Sequence, residues 1–118
     1  MYLLTIDGFL PVRLNVLMRL HWSKRQRALR SDAERVWAAV REASIPPATG
    51  CRRMSVRFES PRTPADSDGR LKGLLDGLVK AKVLLDDSPQ WLILGNVESL
   101  RGPTRRTVIT LEDVDERE

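Results

Sequence analysis

The chain has 118 residues, 42% of them hydrophobic and 31% charged, which is one domain's worth of sequence with enough apolar content for a core. No apolar run approaches the length of a membrane-spanning helix and the start lacks a signal-peptide pattern, so a cytoplasmic protein with no membrane partner is expected. One cysteine, Cys51, and one histidine, His21, exclude an internal disulfide, a cysteine zinc site and any site needing two histidines, while the net charge of +4 leans toward nucleic acid.

Leu3–Leu14 is apolar-rich but broken at Asp7-Gly8 and Pro11, which predicts a strand followed by an irregular strand. Trp22–Ala43 reads as the first helix. Leu29, Ala33, Val36, Trp37, Val40 and Ala43 recur at three- and four-residue spacing and form one apolar stripe, with Trp37 expected in the core. Ser23 with Gln26 and Ser31 with Glu34 are both candidate capping boxes, which leaves the helix start open. Pro46-Pro47 and Gly50 end that element. Cys51–Ser60 alternates at Met54, Val56 and Phe58, the pattern of a half-buried strand.

Pro61 and Pro64 mark a loop, and Asp66–Lys82 contains the second helix. Its Leu71, Leu74, Leu75, Leu78 and Val79 follow i, i+3, i+4, i+7, i+8. Gly73 and Gly77 each weaken it by about 1 kcal/mol relative to alanine, which suggests close packing on a sheet. Val83–Leu85 reads as a short strand ending in Asp86-Asp87. Trp91–Val97 and Arg105–Leu111 read as a hairpin around Arg101-Gly102-Pro103. The mostly acidic tail, 112–118, is expected to fray. The predicted fold is a single α+β domain over 1–118, a mixed β-sheet with two helices packed on it in the order β-α-β-α-β-β.

Charge is split along the chain. Residues 1–62 hold 12 basic and 5 acidic residues, and residues 63–118 hold 8 basic and 11 acidic residues. Arg19, Lys24, Arg25, Arg27 and Arg30 form a block without an acid, which reads as a phosphate-binding footprint or as a solvated helix face. Arg52, Arg53, Arg105 and Arg106 each read more readily as ordinary surface than as phosphate contacts. His21-Trp22 reads as a helix anchor before a stacking pair.

Four aspartates flank the second helix. Asp66 and Asp68 precede it, with Asp68 at the expected N-cap and Lys72 one turn on, and Asp86 and Asp87 follow it. A strand running back across the sheet would return Asp86-Asp87 toward the helix start. Converging carboxylates beside a lysine suit phosphodiester hydrolysis, because hard divalent ions take oxygen ligands and a lysine holds phosphate as a point charge. The same residues also read as a capping pair and a turn.

The segment DSDGRLKGLLDGLVKAKVLLDDSPQWL, residues 66–92, resembles the RusA family of Holliday junction resolvases, in which Asp-x-Asp-Asn-x-x-Lys leads into a helix and a later Asp-Asp. Asp66, Asp68, Lys72, Asp76, Asp86 and Asp87 fall at that spacing, and LNVLMRLHWSKRQR, residues 14–27, is similar to the family's basic-aromatic segment. The resemblance implies a Mg2+-dependent (or Mn2+-dependent) endonuclease that acts on four-way junctions and other branched DNA as a homodimer, in recombination and repair. It implies Asp66, Asp68 and Asp87 as catalytic metal ligands, Asp86 as a supporting acid and Lys72 as the catalytic lysine. Arg62, the one basic residue of the loop before the motif, joins the basic block as a DNA contact. One position departs: Gly69 stands where the family has asparagine, so a non-cleaving junction-binding relative is the alternative.

Overall fold

A computed structural model describes residues 1–62 and 70–114. The elements are β1 (Tyr2–Asp7), α1 (Leu14–Arg19), α2 (Trp22–Ala43), β2 (Arg52–Ser60), α3 (Leu71–Lys80), β3 (Leu92–Arg101) and β4 (Arg106–Asp113). The fold is α+β with a mixed sheet. It has three helices in the order β-α-α-β-α-β-β, which corrects the predicted two-helix β-α-β-α-β-β order. None of the described helices is long and apolar enough to cross a membrane.

The sheet order is β1-β4-β2-β3. β4 pairs antiparallel with β1 on one side and with β2 on the other, and β2 pairs parallel with β3. The predicted β3–β4 hairpin is therefore absent: the two strands lie on opposite sides of β2. β1, β2 and β3 all run the same way, and parallel strands need a crossover rather than a tight turn. The crossovers are α1–α2 between β1 and β2, and α3 between β2 and β3.

Period-2 alternation puts one face of three strands into the core. Leu4, Ile109 and Val56 stand in one cross-strand row, and Tyr2, Leu111 and Met54 in the next. All but Tyr2 are buried, each worth roughly 1.5–3 kcal/mol of transfer free energy. Ala33, Val36, Ala39 and Val40 of α2 and Leu74 and Leu78 of α3 cover that face. Across the sheet, Leu3, Thr5 and Arg53 are exposed.

Helix α2 has the predicted span, but neither capping box starts it. The His21 ring accepts from the Ser23 N–H, and Ser44 closes the helix in the left-handed region at φ 55°. Trp37 is 46% exposed rather than core, with the Arg41 guanidinium stacked over its ring at 4.8 Å. The stripe turns through the smaller residues Ala33, Val36, Ala39 and Val40, because α3 lies too close for an indole.

Three further segments depart from the sequence reading. The expected irregular strand after β1 is not a strand: Gly8 turns the chain and Arg13, in extended backbone, leads into α1. Helix α3 begins at Leu71 with Arg70 as its N-cap, so Asp68 is not that cap, and Asp68 itself lies outside the described residues. Val83–Leu85 forms a turn, not a strand. Val83 and Leu84 are buried there, and the backbone is fixed by Ala48 N–H donating to the Lys82 carbonyl at 2.9 Å and by Arg52 donating to the Val83 carbonyl at 3.0 Å. Tertiary anchoring replaces strand pairing there. At the other end of the chain, β4 runs two residues into the acidic tail, and Glu112 and Asp113 pair with Arg53 and Arg52.

The α3 glycines permit close approach to α2, not to the sheet. A Cβ at Gly77 would lie 2.9 Å from the Val36 Cβ and 3.2 Å from the Ala33 Cα. Gly77→Ala gains about 1 kcal/mol of helix propensity but forces two packed backbones apart. A net destabilisation of about 1–3 kcal/mol is expected in urea unfolding; an unchanged or raised midpoint would contradict this packing.

Candidate nucleic-acid interface

Because β1, β2 and β3 are parallel, their carboxyl ends share one edge of the sheet, and both crossovers begin there. A cleft at the carboxyl ends of strands is the usual ligand position in sheets of this kind. A cavity of about 320 Å³ opens at this edge. Four arginines line it: Arg13 before α1, Arg62 just past β2, Arg70 before α3 and Arg105 before β4. Leu10, Phe58 and Leu100 supply apolar wall, and Ser60 and Ser99 line it too.

Several backbone and side-chain contacts set this rim. Gly8 N–H donates to the Arg105 carbonyl at 2.8 Å, and Gly102 N–H donates to the Ser60 carbonyl at 2.9 Å. Arg70 donates to the Pro11 carbonyl at 2.6 Å, and Asp32 accepts from the Val12 N–H at 2.9 Å. Burial pushes the Asp32 carboxyl above its ordinary range, against the pull of the Val12 N–H and of Arg70. Burial first, then repulsion from Arg13 and Arg105, draws the Arg70 guanidinium below its usual range, while Asp32 opposes this. Arg70 nevertheless stays charged at neutral pH.

Among the described residues no salt bridge engages Arg13, Arg62, Arg70 or Arg105. The neighbouring arginines differ. Arg106 and Arg57 both donate to Glu59, at 2.7 Å and 2.8 Å, and Arg53 pairs with Glu112 at 2.6 Å. Arg52 is 2% exposed and donates to Asp113, Pro46 and Val83. Three of the four arginines first weighed as surface therefore neutralise carboxylates, and Arg105 alone joins the cavity.

The acidic residues divide between the two ends of α3. Asp66 and Asp68 lie outside the described residues, but Arg62 and Arg70 on either side of that segment both line the cavity. Lys72 is exposed in the first turn of α3. Asp86 and Asp87 are exposed in the turn past the far end of the helix. Ser88 accepts from the Trp91 and Leu92 N–H groups, and Leu92 pairs with Arg52 at the start of β2, which fixes this turn at the opposite edge of the sheet. A ten-residue helix spans about 15 Å, so one chain keeps Asp86-Asp87 apart from Lys72. The returning strand that would have joined them is the turn described above. Among the described residues no three acidic, histidine or cysteine side chains gather as a metal site.

No protein-family model matches the chain, and no curated protein matches it either.

The basic block forms a second positive surface. Arg19, Lys24, Arg27 and Arg30 are exposed on α1 and on the first turns of α2, a stretch with no buried residue from Trp22 to Ser31. Arg25 is instead half-buried and donates to the Leu17 and Leu20 carbonyls, closing the end of α1. Trp22, 67% exposed, and Met18, 65% exposed, add apolar area among these charges. Arg13 and Arg70 escaped sequence reasoning because they stand far apart in the chain and outside any basic run. Their only signal is position, next to the start of a helix on the crossover side.

Glu59 fastens β2 to the start of β4 beside the cavity, and its carboxyl is held below the usual range, first by the Arg106 hydrogen bond and then, against a burial effect, by Arg57. A carboxylate with a lowered folded pKa stabilises above its unfolded pKa and loses that contribution as pH falls through the folded one. Glu59→Gln is therefore expected to lower the melting temperature at pH 7. The gap to the parent should close once pH drops below the ordinary glutamate range. A gap independent of pH would show that packing, not charge, holds this strand end.

Proposed function

We propose that the chain is a magnesium-dependent endodeoxyribonuclease that nicks branched DNA, four-way junctions foremost, as a cytoplasmic homodimer in recombination and repair. The observation that carries the reading is the cavity with four arginines, two of which, Arg62 and Arg70, are the described residues on either side of 63–69. Phosphodiesters are the anions that such a cluster suits, since guanidinium groups hold phosphate oxygens in a planar, two-pronged contact. The exposed Arg19, Lys24, Arg27 and Arg30 extend positive surface outward for backbone contacts that position DNA without reading its sequence. The spacing of Asp66, Asp68, Lys72 and Asp87, which resembles the RusA family, supplies the reaction class.

Carboxylate oxygens are the donors magnesium prefers, and it takes one or two of them while keeping several waters. Asp66 and Asp68 fit that role as one pair and Asp86-Asp87 as another. Bound magnesium would lower the pKa of a water and stabilise charge on the phosphate. Lys72 neutralises the phosphate or the departing oxygen. The length of α3 separates Lys72 from Asp86-Asp87 within one chain, so we take a site that uses both aspartate pairs to draw on two copies, and two-fold symmetry then yields two related sites for two nicks. Gly69 supports a second reading, a junction-binding relative that does not cut.

With a labelled junction and magnesium, paired nicks are expected, and a chelator should abolish them. Asp68→Asn should lower the rate by about a hundredfold or more while junction binding persists. Undiminished nicking by that variant would remove the assigned site, and binding without nicking by the parent would favour the second reading.

Asp68→Asn and Asp87→Asn, each inactive alone, should recover part of the nicking when co-expressed, because a mixed dimer holds one intact pairing. No recovery from a verified mixed dimer would place all ligands within one copy.

A further inference from the structure

We propose that the cavity takes a single unpaired nucleotide, phosphate and base together, rather than a phosphate of duplex backbone. The proposal rests on the nuclease reading for the nucleotide's source, a branch point in DNA. A duplex presents its phosphates on a convex surface, which a flat basic face meets well. A recess of about 320 Å³ lies in the range of small-ligand pockets, which combine apolar wall with a few placed polar groups.

The lining has both parts. Arg13, Arg62, Arg70 and Arg105 supply charge for the phosphate, and Phe58, Leu10 and Leu100 supply apolar wall against which a base is shielded from water. Phe58 and Leu10 are themselves buried, which gives that wall a fixed shape. A guanidinium that is not tied to a carboxylate also stacks on a flat base. Ser99 adds a second observation. Its hydroxyl is buried, it lines the cavity, and among the described residues it has no hydrogen-bond partner. A buried hydroxyl left unpaired costs stability, and a polar base edge entering the recess would satisfy it. Inorganic phosphate leaves the apolar wall unused.

The test is calorimetric titration of the full chain, in chelator and without DNA, with thymidine 5′-monophosphate, thymidine and inorganic phosphate. The nucleotide should bind at least about tenfold more tightly than either fragment, since two groups are held at once. Arg105→Ala should weaken the nucleotide and phosphate but not thymidine. Ser99→Ala should weaken the nucleotide about three- to tenfold while the melting temperature stays level or rises, because an unpaired buried hydroxyl has been removed. Equal affinity for nucleotide and phosphate, no binding of either, or unchanged affinity in Ser99→Ala would overturn the proposal. Nicking of junction DNA is read separately. A chain that binds the nucleotide but never nicks keeps this pocket and loses the nuclease reading, and a chain that nicks but does not bind it does the reverse.

Discussion

Three parallel strands set everything else in this molecule. A parallel pair cannot be closed by a hairpin, so each step from β1 to β2 and from β2 to β3 travels over the sheet through a helix. Both crossovers leave from the same edge and return at the other. The departing loops therefore collect at the carboxyl ends of the strands, and the returning loops collect at the opposite edge. Residues 13, 62, 70 and 105 meet for this reason alone. The strand that breaks the pattern, β4, runs back between β1 and β2 and fills the middle of the sheet, which leaves β1 and β3 as the outer strands.

The two edges use arginine in opposite ways. At the returning edge Arg52 is buried with its donors spent on Asp113 and on the Pro46 and Val83 carbonyls, and its guanidinium lies 4.8 Å from the Tyr2 ring centre. A buried charge is tolerable only when paired and hydrogen-bonded in this way. At the departing edge the arginines line a recess, where burial first, and then repulsion from Arg13 and Arg105, draws the Arg70 guanidinium below its usual range. Clustered like charge destabilises a compact state, and of these four arginines Arg70 has the Asp32 carboxylate as a described counter-charge.

Local signals were legible and long-range ones were not. The stripe on α2 and the alternation of β2 followed directly from residue spacing, because helix and strand periods are local properties. The leucine pattern of α3 placed its helix for the same reason. Trp37 misled because periodicity names a face but not the width of the neighbour on it, and Gly73 and Gly77 narrow the gap between α2 and α3. Val83–Leu85 has strand-forming residues, yet Arg52 and Ala48 hold it as a buried turn. The β3–β4 hairpin followed from adjacency in sequence, a habit that the insertion of β4 beside β1 overrides. In the candidate site, the motif spacing of Asp66, Asp68 and Lys72 is readable from the chain alone, whereas Arg13 and Arg70 acquire meaning only when topology brings them to one edge.

The charge split along the chain dissolves in space for the same reason. Read linearly, a basic first half meets an acidic second half, and the acids invite a metal-binding explanation as a group. In the fold, β4 carries Glu112 and Asp113 back to Arg53 and Arg52, so these late acids are consumed in neutralising early arginines. Glu59, an early acid, is consumed by the late Arg106. The cavity in turn draws Arg13 and Arg62 from the first half and Arg70 and Arg105 from the second. Asp86 and Asp87 are exposed neighbours that no described salt bridge engages, at the edge away from Arg13, Arg62, Arg70 and Arg105. The homodimer proposed above would use both features at once, the basic edge of one copy meeting the acidic turn of the other.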